Sequence, residues 1–138
     1  LEDRIIISSF DWRILYELKK QNPKILRGFL TLQQDLSTLK KTIYESSPWM
    51  GKQFPSEDLF LLPKIVKSLE GHVWCPFYKD VTKKNVELAH KLGLAVNVWT
   101  VSKESDIVRM IEYGVDGIIT DYPKKMQDIC VAKNISWF

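Results

Sequence analysis

Short apolar runs alternate with amphipathic segments along this 138-residue chain. Each run has the length and composition of a strand that is buried on both faces of a parallel sheet. The predicted strands are Arg4–Ser8, Ile25–Thr31, His72–Phe77, Ala95–Val101 and Asp116–Thr120. The segments between them place apolar residues at helical spacing, so the pattern predicts strands that alternate with helices through right-handed crossovers.

Local signals mark the ends of the predicted helices. Polar residues are expected to cap the amino ends, glycines to stop helices in a left-handed conformation, and a proline to occupy a first helical position. These residues are Asp11, Thr82, Ser102, Gly93, Gly114 and Pro123. In the first helix, the predicted apolar stripe consists of Ile14, Leu15 and Leu18.

One connection is much longer than the others. The Leu32–Glu70 stretch exceeds the about 2–6 residues of an ordinary strand-to-helix connection. It contains a predicted helix near residues 57–69, which Pro63 is expected to break or begin. We interpret the stretch as an elaborated crossover that reaches over the strand ends.

Two architectures fit the alternation: an open doubly wound sheet, and part of a (βα)8 barrel. A complete barrel takes roughly 250 residues, with about 200 as the lower limit. The chain is therefore too short to close a barrel by itself. Its length is typical of one domain.

Composition narrows the possible partners. The net charge of +3 comes from 20 basic and 17 acidic residues that are mixed along the chain. Proteins that bind nucleic acid usually cluster their basic residues, so nucleic acid is not an expected partner. No apolar run approaches the about 18 residues of a membrane span. Cys75 and Cys130 have apolar neighbours and are predicted to be buried thiols.

The first residues carry information about the origin of the chain. Leu1 stands directly before an apolar strand, without an initial methionine or a leader. We therefore expect the start to be cut. The low cysteine content slightly favours a cytoplasmic location.

Few residues near predicted strand ends carry chemistry. Asp11 and Asp121 follow strands, but Mg²⁺ and Ca²⁺ take about 6–8 oxygen ligands, and both aspartates suit helix starts. His72, at the amino end of a strand, and His90, within a helix, are expected to be structural. No phosphate loop, serine elbow or zinc motif occurs. We therefore predict no catalytic and no metal-ligating residue in this chain.

Trp99 lies near the carboxyl end of a predicted strand, where the loops of an α/β protein gather. Side chains of a strand alternate between two faces, which puts Asn97 and Trp99 opposite Val96. On the interior of a barrel, this amide and indole would form a pocket wall. The alternative is that Trp99 packs beneath a helix.

Several blocks of sequence occur together in a characteristic order. They are ISSF at Ile7–Phe10, Pro23 before a Gly-Phe-Leu strand, VELAHKLGLAVNVWTV at Val86–Val101, and YGVDGIITDYP at Tyr113–Pro123. VWTV and GVDGIITDYP within one crossover form the most specific pair. In content and spacing, the blocks resemble the carboxyl-terminal half of the glycerophosphodiester phosphodiesterases.

The resemblance implies an α/β, TIM-type (βα)8 barrel, of which residues 1–138 supply about the last five βα units. It implies an enzyme that hydrolyses glycerophosphodiesters to glycerol 3-phosphate and an alcohol with a divalent metal, Mg²⁺ or Ca²⁺. Phe10 and Trp99 match substrate-binding positions of the family and would line the site as apolar walls. Ser102 stands where the family commonly has Asn.

The family's catalytic and metal-binding motifs are His-Arg-Gly, Glu-x-Asp, His-Asp and Glu-x-Lys. We expect none of them in this chain, because the resemblance places all of them before Leu1. We therefore expect the chain alone to be inactive. Its open sheet edges would pair with the missing amino-terminal half or with a second copy.

Two alternatives stay open. A phosphate-binding barrel of another class would need a Gly-rich turn after Thr120, where this chain has Asp-Tyr-Pro. A non-catalytic half-barrel would serve as a binding or assembly module.

Overall fold

The computed structural model describes residues 4–32 and 62–136. The strands are β1 (Ile6–Ser9), β2 (Leu26–Thr31), β3 (Val73–Pro76), β4 (Ala95–Val98) and β5 (Gly117–Ile118). The helices are α1 (Trp12–Gln21), α2 (Leu62–Ser68), α3 (Lys83–Lys91), α4 (Glu104–Tyr113) and α5 (Pro123–Ala132), and a 3₁₀ turn spans Tyr78–Asp80. None of these described helices is long and apolar enough to cross a membrane.

The strands form one parallel sheet of five in the order β1-β2-β3-β4-β5. Each strand therefore pairs with the next one along the chain. A doubly wound sheet reverses its strand order at a switch point, and the described strands show no reversal. The fold is thus an arc of a (βα)8 barrel, in which successive right-handed crossovers place the helices on one face.

The hydrophobic core lies between this sheet and the helices. Phe29, Trp74, Val96 and Val98 point to that side and are at most 2% exposed. The helices contribute buried apolar residues of their own: Leu15, Val66, Val86, Ala89, Ile107 and Met110. The indole Nε1 of Trp74 donates to Thr31 Oγ1 at 3.0 Å, which satisfies its polar atom within the core.

The first helix confirms its predicted cap and corrects its predicted stripe. Asp11 is the N-cap of α1, and its side chain accepts from the backbone N–H of Arg13. Leu15 is fully buried, but Ile14 is 54% exposed, so its predicted place in the stripe is wrong. Trp12, three residues before Leu15 on the same helix face, takes the core position instead.

The other predicted helix ends are mostly confirmed. Thr82 forms a reciprocal capping box with Asn85 at the start of α3. Gly114 ends α4 with φ of 80°, and Gly93 follows α3 with φ of 74°. Both are in the left-handed region, where glycine has no steric penalty. Pro123 occupies the first position of α5, as predicted.

The strands are shorter than the apolar runs that predict them. β5 has only two residues, although the apolar run extends from Asp116 to Thr120. β1 begins at Ile6 rather than at Arg4. Strand length depends on hydrogen bonds to a neighbour, and these two strands are the edges of the described sheet. Most of the predicted elaborated crossover, residues 33–61, lies outside the described residues.

Arg27 and His72 fasten the amino ends of β2 and β3. The Arg27 side chain, only 3% exposed, donates to the carbonyls of Pro23, Ile25 and Glu70 at 2.8–3.3 Å. Its backbone N–H donates to His72 Nδ1 at 3.1 Å. His72 therefore has a structural role at this end of the sheet, as predicted.

His90 is also structural. Its Nε2 lies 2.8 Å from Asp116 Oδ2, and the same oxygen accepts from the backbone N–H of Val96 at 2.7 Å. This contact ties α3 to the amino ends of β4 and β5, the end of a barrel that usually serves stability.

Candidate functional site

Aromatic side chains meet at the carboxyl ends of the strands. The ring centroids of Phe10 and Trp99 are 5.4 Å apart with perpendicular planes. Phe77 lies 5.3 Å from Trp99 and 4.9 Å from Tyr78 by the same measure. These distances are typical of packed aromatic pairs. We call Phe10, Phe77, Tyr78 and Trp99 the aromatic cluster.

The backbone holds the cluster in register. Phe77 and Trp99 are partners in an isolated parallel bridge that extends the pairing of β3 with β4. The N–H of Tyr78 donates to the carbonyl of Trp99 at 2.9 Å. The indole Nε1 of Trp99 donates to the carbonyl of Cys75 at 2.8 Å. The polar edge of this indole is thus bound to the sheet, and its apolar surface is half-buried.

The alternation of β4 explains the direction of Trp99. Val96 and Val98 are fully buried on the helix side, and the intervening Asn97 lies on the opposite face, beside Gly117. Trp99 continues this alternation and contacts rings at other strand ends. The prediction that Asn97 and Trp99 share the inner face is confirmed.

The structure therefore brings the two predicted site residues, Phe10 and Trp99, into direct contact. Their role in binding a substrate stays a prediction. Sequence reasoning missed Phe77 and Tyr78, which complete the cluster. The available signal was their position directly after Pro76, at the carboxyl end of a strand.

The loops after β4 and β5 are joined at the rim of this site. Ser102 Oγ donates to Asp121 Oδ2 at 3.4 Å, and the N-cap of α4 is Lys103, without a side-chain cap. The prediction that Ser102 caps α4 is therefore wrong, because its hydroxyl faces the neighbouring loop. Asp121 lies in a turn, one residue before Tyr122, the N-cap of α5.

The described residues do not fit the divalent cation that the resemblance implies. Within residues 4–32 and 62–136, no three His, Cys, Asp or Glu side chains cluster in a way that would hold a metal. Asp11 accepts two hydrogen bonds from the guanidinium of Arg13, at 2.9 and 2.7 Å. These bonds hold the pKa of Asp11 below its ordinary value, and its carboxylate is engaged in capping.

Two strings share letters with the family's motifs but lie on helices. Glu104–Asp106 has the Glu-x-Asp order in the first turn of α4, where Asp106 pairs with Arg109 at 2.8 Å. Glu17–Lys19 has the Glu-x-Lys order within α1. Neither string stands at a strand end, so neither takes the motif's position.

Cys75 offers no reactive thiolate at this site. Cys75 and Cys130 are both free and buried, as predicted. Burial raises the pKa of the Cys75 thiol to about 12. A thiol with so high a pKa is protonated near neutral pH and is a poor nucleophile.

The chain matches the model of a known protein family. The model of the glycerophosphoryl diester phosphodiesterase family matches residues 1–125. The chain belongs to this family. A glycerophosphodiester phosphodiesterase of Caldanaerobacter subterraneus subsp. tengcongensis is 31% identical to it over 128 residues, 91% of this chain and 42% of that protein. The chain thus spans about two fifths of the length of this relative.

Solved structures agree with the family assignment. A candidate glycerophosphoryl diester phosphodiesterase of Silicibacter pomeroyi is 36% identical, with a TM-score of 0.78, over 99% of this chain and 41% of that chain. A phosphodiesterase of Oleispira antarctica, in complex with its product sn-glycerol-3-phosphate, is 20% identical, with a TM-score of 0.63, over 89% and 40%. The second likeness shows the fold alone. The fold of this chain thus corresponds to part of a TIM barrel.

Proposed function

We propose that residues 1–138 form the carboxyl-terminal part of a barrel that hydrolyses glycerophosphodiesters to glycerol 3-phosphate and an alcohol. The observation that carries this proposal is the aromatic cluster at the carboxyl ends of the strands, in a chain of this family. Barrel enzymes bind substrate at that end. A phosphodiesterase of Oleispira antarctica that shares this fold holds sn-glycerol-3-phosphate, the product that we propose here.

In this proposal, Phe10 and Trp99 are apolar walls of the substrate site. Their rings would pack against the carbon atoms of the substrate and exclude water from that side. The hydrogen bond from Trp99 Nε1 to Cys75 keeps the indole from turning. This wall contributes binding and orientation, and no proton transfer.

The chemical step requires groups that the described residues do not supply. Cleavage of a phosphodiester needs neutralisation of charge on the phosphate and a proton for the leaving alkoxide. We therefore assign the acid–base residues and the ligands of the divalent cation, Mg²⁺ or Ca²⁺, to barrel units outside this chain. Accordingly, we propose that the 138-residue chain alone is inactive.

The units that complete the barrel would cover the two edges of this sheet. A (βα)8 barrel has eight strands, and the described sheet has five, with β1 and β5 at its edges. Near those edges, Ile6 is 44% and Ile119 is 50% exposed. A second copy would bring the described strands to ten, so the family's amino-terminal half is the better partner.

An assay of glycerol 3-phosphate release from glycerophosphoethanolamine, with Mg²⁺ or Ca²⁺, tests the proposal. We expect turnover by the complete barrel that contains this chain, and none by the chain alone. Turnover by the chain alone would overturn the assignment of the catalytic groups to barrel units outside it. A complete barrel that binds glycerol 3-phosphate but hydrolyses no glycerophosphodiester would instead favour a non-catalytic binding module.

A further inference from the structure

Asn97 lies on the inner face of the sheet, directly below the aromatic cluster. It stands two residues before Trp99 on the same face of the strand, roughly 6–7 Å along the chain. Its register partner in β5 is Gly117. Its side chain is half-buried, and the proposed function assigns it no role.

The carboxamide of Asn97 occupies the space of a side chain at position 117. A Cβ built on Gly117 would lie 2.5 Å from Asn97 Oδ1 and 2.9 Å from Cγ. Gly117 is not among the glycines with positive φ, so its backbone conformation does not call for a glycine. A glycine is needed because the carboxamide of Asn97 occupies the space that a Cβ would take. The side-chain carboxamide of Asn97 therefore leans from β4 toward β5 and lies over Gly117.

Within residues 4–32 and 62–136, the side-chain carboxamide of Asn97 makes no hydrogen bond. An amide enclosed inside a barrel needs hydrogen-bond partners, because an unpaired buried polar group is costly. β5 is the last strand of the described sheet, and the next strand of a barrel would run about 4.8 Å beyond it. The carboxamide leans toward β5, which is the side on which that strand would run.

We propose that Asn97 is a positioning residue, whose carboxamide lies over Gly117 and hydrogen-bonds a polar side chain that extends over β5 from the inner face of the next strand of the barrel. This proposal for Asn97 rests on the proposed function in two respects: the barrel must be closed, and its activity must be measurable. The bond would fix that side chain relative to Trp99, one layer below the site. Its loss should misplace reacting groups and lower kcat more than it raises KM.

The first test replaces Asn97 by a residue of similar shape without polar atoms. In the complete barrel, Asn97→Leu should lower kcat for glycerophosphoethanolamine by about 10- to 100-fold, with KM changed less than about threefold. Leucine fills the same space, so a role in packing alone would leave kcat unchanged. An unchanged kcat in a folded variant would overturn the proposal.

A second test uses the contact between Asn97 and Gly117. Gly117→Ala should displace the amide and lower kcat as Asn97→Ala does, and the double variant should be no slower than Asn97→Ala alone. A double variant whose loss of kcat equals the product of the two single losses would contradict the proposal. Gly28→Ala is the matched control, because Gly28 is an inner-face glycine crowded by Cys75 Sγ at 3.0 Å. It should lower stability and leave kcat within about twofold.

A third measurement does not depend on activity or on variants. In a crystal structure of the complete barrel, Oδ1 or Nδ2 of Asn97 should lie within about 3.2 Å of a polar side-chain atom of the next strand. A carboxamide without such a contact would overturn the proposal. The contact in a barrel that hydrolyses no glycerophosphodiester would refute the proposed function and support the hydrogen bond.

Discussion

The two faces of β4 differ sharply, although their residues are neighbours in sequence. Val96 and Val98 are fully buried beneath the helices, whereas Asn97 and Trp99 are half-buried on the inner face. The helix side is closed by the chain's own helices. The described residues leave the inner side partly open, and in the proposed function a substrate and further barrel units complete it. The core residues and the residues of the proposed site are thus separated by one step along a strand.

Exposure on the inner face also increases from the middle of the arc to its edges. Val73 and Cys75 of the central strand are 2% exposed, whereas Ile6 of β1 is 44% exposed and Ile119, next to β5, is 50% exposed. Apolar residues with such exposure are typical of surfaces that another segment covers. The inner face is therefore buried at the central strand and exposed at the two edge strands.

The largest effect should come from the helix side. Trp74→Ala should lower the free energy of unfolding by about 3–5 kcal/mol, because it empties a fully buried position and leaves the hydroxyl of Thr31 without its donor. Urea unfolding measures this loss. Trp99→Ala is the paired control, and an equal loss of stability there would break the comparison of the two faces.

Trp99→Ala should act on binding instead. In the complete barrel, we expect kcat/KM for glycerophosphoethanolamine to fall about tenfold, the effect of one lost aromatic contact. Trp99→Phe keeps a ring but removes the hydrogen bond to Cys75, and should lose less than half as much in log units. An unaffected kcat/KM in Trp99→Ala would remove this residue from the proposed wall.

The cap of α1 should contribute less to stability than the core does. Asp11→Ala should lower the free energy of unfolding by about 1 kcal/mol, whereas Asp11→Asn should retain most of the cap. Because the bonds from Arg13 lower the pKa of Asp11, its contribution is present above the ordinary aspartate pKa and is lost as pH falls below it. Urea titrations at pH 7 and pH 3 test both statements, and equal stability of Asp11→Ala and the unchanged chain at pH 7 would contradict them.

The smallest effect concerns His72 at the amino end. Burial, with the nearby charges of Arg27 and Lys67, lowers the pKa of His72, and its Nδ1 must be unprotonated to accept from the backbone of Arg27. Folding therefore favours the neutral form, so stability should decrease as pH falls below about 6.5. His72→Gln should reduce the change in the midpoint of urea unfolding between pH 7 and pH 5. An unchanged pH dependence in this variant would refute the assignment.

Local signals were sufficient for much of the fold. Asp11, Thr82 and Gly114 mark helix ends because capping depends on contacts within a few residues. Ser102 was misplaced because its hydroxyl joins a loop 19 residues away. The apolar stripe of α1 was also partly misassigned, since local spacing does not say which of several apolar residues the sheet covers.

The sequence by itself determined the alternation of strands and helices, the likeness to a phosphodiesterase family, and the inward direction of Asn97 and Trp99. These follow from periodicity and from motifs, which are local properties of the chain. Only the tertiary structure decided the strand order, the contact between Phe10 and Trp99, the inclusion of Phe77 and Tyr78, and the position of the Asn97 carboxamide over Gly117. Each of these depends on which strands become neighbours, and that is fixed by packing between distant segments.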